Sequence, residues 1–141
     1  MQSEGHQTGA VLRRLADHGG GVDAITGHTV ALWTRTARAL VPVIGQRGMS
    51  ALYARAVHLA AVQHPWLAQA VGADDVAADF SPLAKAAAEQ PPDAAIAAIT
   101  ALFETFDRLL VTLIGASLTQ RLLQPIRDVP SAGATRQDPA P

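Results

Sequence analysis

The sequence predicts an all-α fold: a four-helix-bundle-like core built from two pseudo-repeated helical hairpins, with short accessory helices. Three observations carry it. No segment alternates apolar and polar residues with period two, so no strand is expected. Apolar residues recur at three- and four-residue spacing over long stretches. The middle of the chain also reads as written twice. Residues 31–53 (ALWTRTARALVPVIGQRGMSALY) and 101–123 (ALFETFDRLLVTLIGASLTQRLL) align without a gap at an offset of 70, with eight identities in 23 positions. The identities include Arg38/Arg108, Ile44/Ile114 and Gly45/Gly115, and Trp33 faces Phe103. Self-similarity of this kind organises a whole fold.

The elements follow in order. Residues 8–18 form a short amphipathic helix with Val11, Leu12 and Leu15 on one face, ended by Gly19-Gly20-Gly21. A second helix, 23–44, buries Ile25, Thr29, Leu32, Thr36, Leu40 and Val43. Pro42 near its end kinks or finishes it, and Gly45 and Gly48 bracket a turn. A third, 49–63, turns Met49, Leu52, Ala56 and Leu59 inward and stops at His64-Pro65. A short helical turn runs from Pro65 to Val71 with Gly72 as its cap. Ser81-Pro82 gives an N-cap and a proline at the first helical position for a helix to Glu89.

The last long helix begins near Asp93, whose charge suits a helix N-terminus. Ile96, Ile99, Phe103, Phe106, Leu110 and Leu113 form a seam, and Glu104 and Arg108 are spaced to pair on its outer face. At Gly115 this helix either continues or yields to a separate helix, 118–126, opened by a Ser117-x-x-Gln120 capping box. Residues 1–126 are thus one domain with repeat-like halves 23–63 and 93–126, and 127–141 are a disordered tail rich in Pro, Ala, Gly and Asp.

Composition narrows function mainly by exclusion. The absence of cysteine removes disulfides, thiolate metal sites and thiol nucleophiles. Eleven basic and 12 acidic residues give a net charge of −1, with neither the basic excess nor the stripe expected of a nucleic-acid binder. The polar start MQSEGHQTGA lacks the apolar core of a secretory signal, and charged or polar residues interrupt every apolar run well short of a membrane span. A cytoplasmic protein is expected. Charge is only 16% of residues, which suggests that part of the surface meets a partner.

Chemistry-bearing motifs are sparse. His6, His18, His28, His58 and His64 contain no pair at i,i+3 or i,i+4, so no metal site is expected. Asp74, Asp75 and Asp79 lack calcium-loop spacing and suit helix capping. No phosphate loop, nucleophile elbow or nucleophile–base set can be placed, so no enzyme activity and no cofactor is expected. Arg35, Arg38, Arg47 and Arg55 lie in the first copy, whereas Glu104 and Asp107 lie in the second, which suits pairing across a symmetric dimer. Tyr53 is a candidate aromatic anchor for an interface, and Trp66, after the helix stop at His64-Pro65, either folds back on the bundle or presents a binding edge. The binding candidates are therefore Arg35, Arg38, Tyr53, Arg55, His58, His64 and Trp66.

His58 falls away from the assigned core face, beside Arg55. In size and class the chain resembles histidine phosphotransfer domains, which present such a histidine in mid-helix. That family's Leu-Lys-Gly after the histidine is replaced here by Leu59-Ala60-Ala61. The size and helical layout are also similar to small accessory modules of bacterial signalling systems. The function expected is a non-catalytic helical interaction or regulatory module of bacterial signal-transduction type. It would act through protein–protein contacts as a homodimer, with no nucleic acid and no membrane as partner. One alternative is a sensor binding a small apolar ligand or haem between the hairpins through His28 or His58. The other is phosphotransfer at His58.

Overall fold

The computed structural model describes residues 12–14, 21–70 and 80–128. The described chain is helical throughout and contains no strand. Helix α1 spans Gly21–Ala60, a 3₁₀ helix Pro65–Ala70, α2 Ser81–Ala88, α3 Pro92–Ile114 and α4 Ala116–Asp128. Among the described residues, no helix is long and apolar enough to cross a membrane.

Two glycines set the shape. Gly45, inside α1, has φ 83° and ψ 162°. Gly115, between α3 and α4, has φ 92° and ψ 156°. A positive φ with ψ near 160° is a conformation essentially reserved for glycine. Each therefore acts as an elbow between two helical arms with no intervening loop. The expected turn at Gly45–Gly48 is a single-residue break, and Gly48 is helical. Pro42 does not place it, because the same break occurs at Gly115, where Thr112 stands in the proline's position. The choice left open at Gly115 is resolved as two helices. The Gly115 carbonyl accepts the Thr119 N–H at 3.1 Å and the Thr119 hydroxyl at 2.7 Å, so Ser117 lies within the first turn and does not cap it. At α2, Phe80 rather than Ser81 holds the N-cap position, with its carbonyl accepting from Ala84 N–H at 3.2 Å. Pro92 opens α3 instead of breaking the chain, and α4 runs two residues past the expected start of the tail.

The first arm of α1 (21–44) and α3 run parallel. Trp33 packs against Phe103 and Phe106 at ring-centroid distances of 5.1 and 4.9 Å, while Ile25 clusters with Ala95, Ile96 and Ile99. Both elbows therefore lie at one end of the molecule. The second arm of α1 folds back, so that Ala60 and His64 reach Ala101 and Thr105, about ten residues or 15 Å above the Gly115 elbow at the α-helical rise. At the far end Leu12 and Ala87 cover Ile25 and Ile96. There Arg13 and Asp93 form an exposed ion pair at 3.0 Å, worth at most about 1 kcal/mol.

Each of the ten buried positions in 23–56 has a buried counterpart seventy residues on: Ile25/Ala95, Thr29/Ile99, Leu32/Leu102, Trp33/Phe103, Thr36/Phe106, Ala37/Asp107, Leu40/Leu110, Met49/Thr119, Tyr53/Leu123 and Ala56/Ile126. Trp33, on the first α1 arm, meets Tyr53 from the second arm, Phe80 from the start of α2, and Phe103 and Phe106 from α3. Thr29 and Thr36 are buried without cost to satisfaction, since their hydroxyls donate to the carbonyls of Ile25 (2.7 Å) and Leu32 (2.8 Å) one turn back.

Candidate functional site

The second arm of α1 buries Met49, Tyr53, Ala56, Val57 and Ala60. This stripe is rotated from the expected Met49/Leu52/Ala56/Leu59 face. Leu52 is half-buried and Leu59 is 40% exposed. The rotation decides the fate of the candidate residues. Tyr53 is fully buried against Trp33 and Phe80, so it offers nothing to a surface partner, and burial pushes its phenol above the usual value. Arg55 and His58, one turn apart, stand exposed, as do Arg35 and Arg38 on the first arm. Trp66 is half-buried and packs back onto both parts of the core, the folded-back one of its two expected placements.

His64 is the candidate that the fold places in a recess. Leu59, Ala60, Gln63 and His64 at the end of α1 face Ala101, Glu104, Thr105 and Arg108 of α3 across a shallow groove of about 230 Å³. The α1 terminus lies over Ala101 and Thr105, which are half-buried, whereas their counterparts Ala31 and Arg35 are exposed. Thr105 spends its hydroxyl on the Ala101 carbonyl at 2.8 Å. Glu104 and Arg108 do not form the ion pair their spacing suggests, and neither side chain has a polar partner among the described residues. Leu59, in the lining, is 40% exposed, and Val62, on the turn that ends α1, is 76% exposed. One carboxylate, one guanidinium and one imidazole thus line a recess with an apolar rim. The arrangement offers recognition; it contains no nucleophile held by a base.

Sequence reasoning missed Leu59, Val62, Glu104 and Arg108 as a group. Both faces were on offer in the sequence: Met49, Tyr53, Ala56 and Ala60 satisfy the three–four spacing as well as the set chosen. A second groove of about 350 Å³, beside α2, is lined by Gln69, Ser81, Pro82, Lys85, Ala86 and Glu89. No three His, Asp or Glu side chains gather closely enough to hold a metal among the described residues. The carboxylates Asp74, Asp75 and Asp79, the 1–11 segment and the tail beyond 128 lie outside the described residues.

His28 is half-buried on the first arm, and its pKa is lowered, first by desolvation and then by the positive charge of Arg35. The unfolded chain therefore binds this proton more readily than the folded one. Stability is unaffected above the ordinary histidine value of about 6.5 and falls as pH drops below it. Thermal melts between pH 7.5 and 5 will show a lowered midpoint at acid pH, and His28→Gln will flatten that slope. An unchanged slope in the variant would exclude His28 as its source.

No family model, no curated protein and no solved structure matches this chain.

Proposed function

We propose that this chain is a non-catalytic helical interaction module with a regulatory role, of the bacterial signalling type, working in the cytoplasm as a homodimer. Its scaffold is read as a duplicated helix–glycine–helix unit, the two copies forming a four-helix bundle and the shorter helices covering its end. The paired elbows at Gly45 and Gly115 and the matched buried positions support that reading.

The observation that carries the functional reading is the unpaired Glu104 and Arg108 in the α1–α3 groove. A two-fold axis through this face sets Glu104 of one copy opposite Arg108 of the other, twice, as an isologous interface requires. Leu59 supplies apolar area beside these pairs. Glu104→Arg or Arg108→Glu alone will weaken self-association about tenfold or more, a change of about 1.4 kcal/mol or more. The double exchange will restore it to near the wild-type level. Sedimentation equilibrium reads both, and a double variant no better than the singles would remove this interface.

The five rings between the arms, with centroids 4.9–5.8 Å apart, occupy the space a haem or apolar ligand would need at that level. They favour contact over ligand sensing. A second reading rests on His58, exposed with Arg55 one turn before it, as a phosphoryl acceptor would require. Incubation with a phosphorylated receiver domain tests it: acid-labile label lost in His58→Ala supports phosphotransfer, and no label in the wild type removes it.

A further inference from the structure

The elbow end of the molecule has a chemistry of its own. The parallel course of the first α1 arm and α3 brings Gly45 and Gly115 to the same end, and with them two side chains at matching positions, Val43 and Leu113. Both belong to the expected core stripes. Both are instead exposed, at 46% and 58%, whereas Ile44 and Ile114, one residue nearer each elbow, are the side chains of that last turn that pack against the core. Leu12, the 3₁₀ helix and α2 do not cover them: Leu12 and Ala87 sit with Ile25 and Ile96 at the opposite end, and Leu67 and Phe80 pack into the central core.

Charge at this end is one-sided. Residues 38–52 and 108–122, the stretches that flank the two elbows, contain four arginines and no Lys, Asp or Glu. Arg38 and Arg108 lie seven residues before their glycines, Arg47 two after and Arg121 six after, all within about 10 Å of the elbows along the helix axes. All four are exposed, and none has an ion-pair or side-chain hydrogen-bond partner among the described residues. The net charge of −1 for the whole chain conceals this basic cap.

We infer that the elbow end docks an acidic, apolar-faced helical segment of a partner protein. Val43 and Leu113 receive its apolar side chains, and Arg38, Arg47 and Arg121 meet the carboxylates that flank them, Arg108 being engaged in the homodimer pairs. An apolar centre with an arginine rim is the usual composition of a protein interface, and arginine pairs with carboxylates in a bidentate fork. A second copy of this chain is the wrong occupant, since it would bring four more arginines to the same place. The inference rests on the interaction-module reading and names the partner's chemistry and a docking face at the elbows.

The test uses the full chain with two synthetic 18-residue helical peptides. They share a leucine stripe flanked by glutamates in one and by lysines in the other. Isotope-edited NMR will show the acidic peptide shifting amides around the two elbows, 42–48 and 112–118, with binding that weakens as salt rises. The lysine peptide will bind at least tenfold more weakly. Arg47→Glu with Arg121→Glu will reduce affinity for the acidic peptide at least tenfold. Val43→Ser with Leu113→Ser will reduce it at least fivefold at unchanged salt dependence. Equal binding of both peptides, or shifts confined to other faces, overturns the proposal. So does tighter binding of phosphatidylserine vesicles or duplex DNA that ignores the Val43 and Leu113 changes, because a bare cationic surface then explains the site. Sedimentation of the same samples separates the two ideas: failure of the peptide with an intact homodimer removes the elbow site alone.

Discussion

Trp33→Ala will cost about 3–5 kcal/mol, the range for deleting a fully buried large aromatic, and will be the most damaging single truncation in the core. The indole has no exposed surface and touches four other rings, three of them edge-on within 5.1 Å. Each aromatic pair of this kind adds about 0.5–1.5 kcal/mol beyond the area it buries. Those rings come from the second α1 arm, the start of α2, and α3, so the cavity would loosen the junctions of the first arm with all three. Against a typical total of about 5–15 kcal/mol, the variant will be partly unfolded or sharply lowered in denaturant midpoint. Tyr53→Phe in the same cluster behaves oppositely. Its hydroxyl is buried with no hydrogen-bond partner among the described residues, as is the Trp33 N–H. Removing an unsatisfied hydroxyl while keeping the ring leaves stability unchanged or higher. Urea titrations of the two variants check the pair; a Trp33→Ala loss below about 1 kcal/mol would show that the cluster does not hold the arms together.

Gly45→Ala and Gly115→Ala will each cost about 1–3 kcal/mol through backbone strain alone. An added Cβ at either position meets nothing within 4 Å, so crowding contributes nothing, whereas φ of 83° and 92° puts both outside the range of an L-residue. Gly27 provides the control. It lies within α1 with equally open space and no positive φ, so Gly27→Ala will stabilise by about 0.5–1 kcal/mol. Thermal melts of the three variants read the contrast directly. A neutral Gly115→Ala would mean that α3 and α4 tolerate a continuous helix, and the elbow would cease to define the fold.

Helix existence was plain in the chain because the three–four spacing of Ile25 to Leu40 and Ile96 to Leu110 is long and uninterrupted. The importance of Gly45 and Gly115 was legible too, since both recur in one aligned context. The rotation of the second α1 arm was not. Leu52, Tyr53, Ala56, Val57, Leu59 and Ala60 satisfy two helical stripes, and hydrophobicity alone cannot choose between them. What chooses is Trp33, which needs the Tyr53 ring beside it, a tertiary contact with no local signature. That single rotation buried Tyr53, exposed Leu59 and turned His64 toward Glu104 and Arg108. The outward position of Val43 and Leu113 was hidden for a related reason: Val43 and Ile44, like Leu113 and Ile114, both fit the end of an apolar stripe, and it is Ile44 and Ile114 that pack against the core.

The homodimer is the claim on which the functional reading leans most. The mass of the wild-type chain across 1–200 µM, by sedimentation equilibrium at low salt, tests it most directly. We expect a transition toward twice the 14.7 kDa chain mass, weakened by Glu104→Arg or Arg108→Glu and recovered by the double exchange. A mass of 14.7 kDa at every concentration would contradict it.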